Sequence, residues 1–133
     1  MFLDSRYESP GFDPARAETW KPSMDEFKAA GVNILAPPIY VLLALDLGRQ
    51  IVASEYARAA KAAGLGLIVW SLQRDGPLNK GGGFFHRSVK PAIDRDGDAL
   101  TVLDVLAQQV GVPGVFSDWP TTTTFYASCM GMK

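Results

Sequence analysis

The chain of 133 residues is 47% apolar and 20% charged, a composition that excludes intrinsic disorder and fits one domain or a piece of one. Lys and Arg number 13 against 14 for Asp and Glu, so the formal net charge of −1 leaves no basic surplus for nucleic acid. Cys129 and His86 are single of their kind, which excludes an internal disulfide framework, a cysteine-based zinc site and a histidine-pair mechanism within this chain.

Met1-Phe2-Leu3-Asp4 has neither the basic region nor the apolar stretch of a secretory signal, and Phe2-Leu3 reads as the tail of a strand. Ser23-Met24-Asp25-Glu26 then reads as a capping box, opening a helix over Met24–Ala30 with Met24, Phe27 and Ala30 on one face. Gly31 takes the left-handed cap. Val32 to Ala36 follows as a short buried strand, halted by Pro37 and Pro38, which cannot donate to a ladder. The apolar run Ile39 to Leu45 reads as a short extra helix or a substrate-side loop. Broken by Pro37, Pro38 and Asp46, it falls short of the roughly 18 residues of a membrane span.

The second unit repeats this grammar. Ser54 caps a helix over Glu55–Ala63, with Glu55 at the positive end of its dipole, and Gly64 ends it. Leu65 to Leu72 is apolar at nearly every position, the signature of a strand buried on both faces in a parallel sheet. The connection from Gln73 to Asp98, carrying Gly81-Gly82-Gly83, Phe84, Phe85 and His86, is long enough to suggest a functional loop. The third unit places a helix over Val102–Val110, with Thr101 and Asp104 as an acidic variant of the box. Gly111 closes it, and Val112 to Ser117 forms a strand leading to Asp118-Trp119-Pro120.

Helices alternating with strands through short turns imply right-handed crossovers and a parallel sheet. Gly31, Gly64 and Gly111 are spaced 33 and 47 residues apart, against roughly 31 residues per unit in an eight-unit barrel. The expected fold is therefore α/β: the C-terminal half of a TIM (β/α)8 barrel, with parallel strands and outer helices, truncated before residue 1. An open doubly wound sheet is the alternative. Half a barrel leaves two raw sheet edges, so self-association is expected.

Two residues stand out at the strand ends and one in the long connection. Trp70 is either a core filler or a wall of the barrel mouth, where substrate contacts are made. Asp118 either caps a helix from Thr121 onward, with Pro120 in its first turn, or faces the mouth and orients another side chain. Phe85, with Phe84, either packs the long loop down or forms an apolar wall for substrate. The three glycines lack phosphate-loop spacing and read as a lid hinge or a simple loop. His86, without a partner carboxylate at a telling spacing, reads as structural or solvated. Asp94 to Asp98 lacks the later glycine and glutamate of a calcium loop.

Ala62-Ala63-Gly64-Leu65 followed by Ile68-Val69-Trp70-Ser71-Leu72 resembles a strand of the glycerophosphodiester phosphodiesterase family that carries a tryptophan at the barrel mouth. Gly111-Val112-Pro113-Gly114-Val115-Phe116-Ser117-Asp118-Trp119-Pro120 is similar to that family's closing strand. Ile34 to Pro38 and Ser54-Glu55-Tyr56 resemble one branch of it.

The resemblance implies that residues 1–133 are the C-terminal portion of a glycerophosphodiester phosphodiesterase (GDPD) domain. The parent enzyme would be a metal-dependent phosphoric diester hydrolase of lipid and glycerol metabolism, cleaving glycerophosphodiesters to glycerol 3-phosphate and an alcohol. A divalent cation, Ca2+ or Mg2+, is expected in the full-length protein and none in this fragment. The family's two histidines, one in a His-Arg-Gly motif, and its Glu-x-Asp metal pair are absent here, and His86 matches no family catalytic position. No catalytic residue is therefore assigned, and the fragment alone is expected to be inactive. Trp70 and Phe85 are the substrate-side candidates and Asp118 the support at the mouth. Expected partners are a glycerophosphodiester in the full-length enzyme and a second copy of the fragment, but neither nucleic acid nor a transmembrane segment. For the full-length protein, a periplasmic or extracytoplasmic location follows from the habits of this branch. The alternative from another class is a non-catalytic half-barrel retained for interaction or assembly.

Overall fold

A computed structural model describes residues 1–132. Its elements are β1 (Phe2–Leu3), α1 (Met24–Ala29), β2 (Ile34–Ala36), α2 (Ile39–Leu42), β3 (Leu43–Leu45), β4 (Ile51–Ala53), α3 (Glu55–Ala62), β5 (Gly66–Leu67), α4 (Asp98–Asp104) and α5 (Pro120–Cys129). The architecture is mixed α/β. β1, β2 and β5 pair in parallel in chain order, with Phe2 opposite Leu35 and Leu35 opposite Leu67. Isolated parallel bridges extend this sheet: Pro38 pairs with Trp70, and Val69 pairs with Val115. Among the described residues, no helix is long and apolar enough to cross a membrane.

Local chemistry accounts for the helix starts. In α1 the Glu26 N–H donates to Ser23 Oγ at 3.2 Å, while Ser23 N–H donates to Glu26 Oε2 at 2.6 Å. At α3, Ser54 Oγ accepts from Ala57 N–H at 3.1 Å and donates to the Val41 carbonyl at 2.6 Å, so the cap also ties α3 to α2. Gly64 and Gly111 follow their helices at φ +72° and +75°, conformations an L side chain seldom adopts. The core gathers Leu35 from β2, Ile39 and Leu42 from α2, Tyr56 from α3, Val102 from α4 and Leu106 just beyond it, each fully buried.

Four elements differ from the sequence expectation. The run Ile39 to Leu45 is half helix and half strand: after α2, β3 turns back through Asp46 to Gln50 and pairs antiparallel with β4. Asp46 Oδ1 accepts the Gln50 N–H at 2.8 Å, closing that turn. α4, the helix of the third unit, starts at Asp98 rather than Val102, and it has no side-chain cap; Asp98 instead accepts from Asp94 and Arg95 N–H at 2.8 and 3.1 Å. It then widens into a π-helical segment over Val105–Val110, where Gln109 Oε1 accepts the β4 Ala53 N–H at 3.3 Å. The two long expected strands, Leu65 to Leu72 and Val112 to Ser117, contract to β5 with its bridges and to the single Val115 bridge.

Candidate functional site at the carboxyl ends of the parallel strands

Because β1, β2, β5 and the Val115 bridge run in the same direction, the residues following them lie at one end of the sheet. In parallel α/β sheets that end is where ligands bind. It carries Asp4 after β1, Pro38 after β2, Trp70 and Ser71 after β5, and Phe116 to Asp118 after Val115. A cavity of about 280 Å³ opens there, lined by Trp70, Ser71, Arg74, Phe116, Ser117 and Asp118. Trp70 and Asp118, singled out from sequence separately, thus share one cavity.

Trp70 is both packed against the sheet and part of the cavity lining. Its part-buried indole donates Nε1–H to the Ala36 carbonyl at 2.9 Å, which fixes the ring to β2, while the cavity takes its remaining surface. Ser71 beside it holds φ +83°, a left-handed conformation uncommon for serine. Its buried hydroxyl donates to the Trp70 carbonyl and accepts the Ile39 N–H at 3.4 Å. Asp118 does not cap α5, whose first residue is Pro120 and whose N-cap is Trp119. It pairs instead with Arg74 at 3.6 Å, and both side chains remain more than half exposed. Ser117 Oγ donates to Gln73 Oε1 at 2.8 Å, binding the closing segment to the start of the long loop.

Phe85 meets Trp70 but does not share its cavity. The two rings lie 5.1 Å apart at 64°, and the Phe85 N–H is held by the Asp75 carboxylate. From there the aromatic contacts close into a circuit: Phe85 to Phe84 at 5.2 Å, Phe84 to Tyr40 at 5.7 Å, Tyr40 to Tyr7 at 6.3 Å, and Tyr7 back to Trp70 at 5.8 Å. Phe85 therefore packs the long loop onto the carboxyl end of the sheet. The glycines are packed as well: a Cβ at Gly82 would lie 2.8 Å from the His86 side chain. His86 is 1% exposed and sets Nδ1 against the Gly82 carbonyl at 3.1 Å, while Nε2 has no partner. Burial pushes its imidazole below the ordinary range, so it is a neutral structural histidine.

Sequence reasoning missed the network under β1. Asp4 and Arg6 form a buried two-pronged ion pair, Nε to Oδ1 at 3.0 Å and Nη2 to Oδ2 at 2.8 Å, and the Tyr56 hydroxyl donates to the same carboxylate. Burial, then the Asp4 charge, pushes the Tyr56 phenol well above its usual range. The available signal was the spacing of two opposite charges directly after a strand. Among the described residues, no group of three or more His, Cys, Asp and Glu side chains is placed to hold a metal ion. Asp4 is committed to Arg6 and Tyr56, and Asp118 to Arg74, so the residues here do not fit the divalent cation that the family resemblance implies.

No family model matches the chain, and no solved structure matches it. It is similar to a protein of Arthroderma benhamiae (strain ATCC MYA-4681 / CBS 112371) named "Extracellular protein", 50% identical over 135 residues. That alignment covers 99% of this chain and 54% of the relative, so the chain spans about half the length of the curated relative it matches.

Proposed function

We propose that this chain is the C-terminal portion of a (β/α)8 barrel phosphodiesterase that hydrolyses glycerophosphodiesters to glycerol 3-phosphate and an alcohol, acting outside the cytoplasm. The observation that carries the reading is the cavity at the strand ends, where Trp70 meets Ser117 and Asp118. These residues come from the two motifs that resemble the family. The chain-order parallel pairing of β1, β2, β5 and Val115 is compatible with consecutive barrel strands. The name of the relative supports the location.

In this reading the present residues bind and orient, and they move no proton. Trp70 offers a flat apolar wall to the glycerol or alcohol part of the substrate. Arg74, steadied by Asp118 at 3.6 Å, brings a permanent positive charge to the cavity edge, which suits an anionic phosphodiester. The metal carboxylates and the acid–base pair belong to a segment outside this sequence.

The test joins sequence and assay. The coding sequence upstream of Met1 should hold a His-Arg-Gly followed by Glu-x-Asp, and the joined protein should hydrolyse glycerophosphocholine in the presence of Ca2+ or Mg2+. The 133-residue chain alone should not. Metal-dependent turnover by the chain alone, abolished in His86→Ala, would refute the assignment of the chemistry to another segment.

A second reading, a non-catalytic assembly module, is favoured by the apolar side chains left open at both sheet edges. Leu3 is 64% exposed on β1 and Phe116 53% exposed beyond Val115. Light scattering on the isolated chain separates the two when combined with the upstream sequence. Stable oligomers without an upstream catalytic segment would favour assembly.

A further inference from the structure

We propose that Tyr40, Ser88 and Arg87 form a binding site for a phosphate oxyanion, either the free ion or a terminal phosphomonoester. The three residues line one open polar cavity of about 550 Å³, bounded also by Gly11 to Pro14 and Arg16. Tyr40 comes from α2, and Arg87 and Ser88 directly follow His86 in the long loop. Tyr40 is 2% exposed, and its hydroxyl has no hydrogen-bond partner. The Ser88 hydroxyl is likewise buried and unpartnered. Two orphaned hydroxyls beside one cavity are costly unless something supplies acceptors.

The charges select the class of ligand. Among the described residues no carboxylate pairs with Arg87, whereas Arg16 is paired with Glu18 at 3.0 Å. Asp13 turns Oδ1 to the Ala15 N–H at 2.8 Å. Arg16 and Arg87 outnumber the one carboxylate in the lining, Asp13, and the unpaired guanidinium with the two hydroxyls makes a set rich in donors that matches an acceptor-only oxyanion. Desolvation raises the Tyr40 phenol above its usual range, keeping it a donor at neutral pH.

Arg87 is exposed and lies over the Tyr40 ring, 3.4 Å from its centroid, and over Phe84 at 3.8 Å. A ligand reaches the shielded hydroxyls as this side chain turns from the ring toward the cavity. An exposed cation–π contact is weaker than charge-assisted bonds to an oxyanion, so the exchange favours the bound state. The site stands on these residues alone and does not depend on the phosphodiesterase reading.

Calorimetric titration of the full chain with inorganic phosphate at constant ionic strength tests it, with methyl phosphate and acetate in parallel. Saturable one-site binding of phosphate in the millimolar range or tighter is expected, with acetate at least ~10-fold weaker because it presents fewer acceptor oxygens. Methyl phosphate binding as well as phosphate assigns the terminal phosphomonoester, and phosphate alone assigns the free ion; both support the site. Arg87→Gln should weaken binding by ~10-fold or more, and Tyr40→Phe and Ser88→Ala by ~3- to 10-fold each. Ser88→Ala, at a smaller and less buried side chain, carries the test if Tyr40→Phe does not fold. Unsaturable wild-type heats would overturn the site, as would unchanged phosphate affinity in the folded Arg87→Gln and Ser88→Ala variants. Acetate binding as tightly as phosphate would overturn the ligand class.

Discussion

The indole N–H of Trp70 donates to the main-chain oxygen of Ala36 at 2.9 Å, so the largest side chain at the sheet's carboxyl end clamps the strand ends of β5 and β2 together. Its remaining surface faces a cavity, and substitutions can separate the two duties. Trp70→Phe keeps a ring against Tyr7 and Phe85 but loses the donor, at a cost of about 0.5–1.5 kcal/mol in urea denaturation. Trp70→Ala also loses the packing and should cost about 2–4 kcal/mol, below the upper range for a fully buried tryptophan. In the longer enzyme proposed above, Trp70→Ala should raise KM roughly 5- to 150-fold with much less change in kcat, because the proposed contact would be made before and during bond cleavage. An unaltered KM in a folded variant would remove Trp70 from the substrate wall.

The buried pair of Asp4 and Arg6 should behave as a unit. Arg6→Met leaves the buried Asp4 carboxylate without its cation, which costs about 3–5 kcal/mol. The double variant Asp4→Leu/Arg6→Met removes both charges and strands only neutral groups, the Tyr56 hydroxyl, the Arg6 N–H and the Pro22 carbonyl, so it should cost less than Arg6→Met. A double variant less stable than Arg6→Met in urea denaturation would contradict this account.

Tyr56 gives the chain an alkaline limit. Its folded-state phenol lies above the unfolded value near pH 10, so the native state holds a proton that the unfolded state releases. Stability from this group is complete below about pH 10 and falls as pH rises further, by at most ~1.4 kcal/mol per pH unit. Chemical denaturation at stepped alkaline pH should show this slope, and Tyr56→Phe should reduce it.

His86 sets a limit on the acid side. Burial lowers its folded-state value, so as pH falls the unfolded chain takes up a proton first. The contribution is complete above about pH 6.5 and is lost below it, by up to ~1.4 kcal/mol per pH unit. The wild-type urea midpoint should therefore drop between neutral and mildly acid pH more than that of His86→Gln. Equal drops would mean that the buried imidazole is not what titrates.

Arg74 and Asp118 are exposed partners at 3.6 Å, and such pairs contribute little to stability. Asp118→Asn should leave the thermal midpoint nearly unchanged, at low and high salt alike. A large loss would restore a structural role for Asp118 at the start of α5.

Much of this protein was legible wherever the determining atoms lie a few residues apart. The Ser23–Glu26 box, the Ser54 cap, the helix end at Gly64 and Pro120 opening α5 follow from short-range hydrogen bonding and allowed φ values, which neighbouring residues set. The chain order of the parallel pairing at Ile34, Ile68 and Val115 was also expected, because buried strands alternating with helices favour it; here β2, β5 and their bridges carry it. Contacts between distant segments were not legible. Leu43–Leu45 becomes a strand only because Ile51–Ala53 folds back beside it, and its apolar run suits a helix equally well. Tyr56 meets Asp4 across 52 positions, and Tyr7, Tyr40, Trp70, Phe84 and Phe85 meet only when three loops converge on one end of the sheet. Periodicity reports which side of an element is apolar. Which distant partner covers that side is decided by the packing of the whole chain, and that packing brought Trp70 and Asp118 to one cavity while keeping Phe85 outside it.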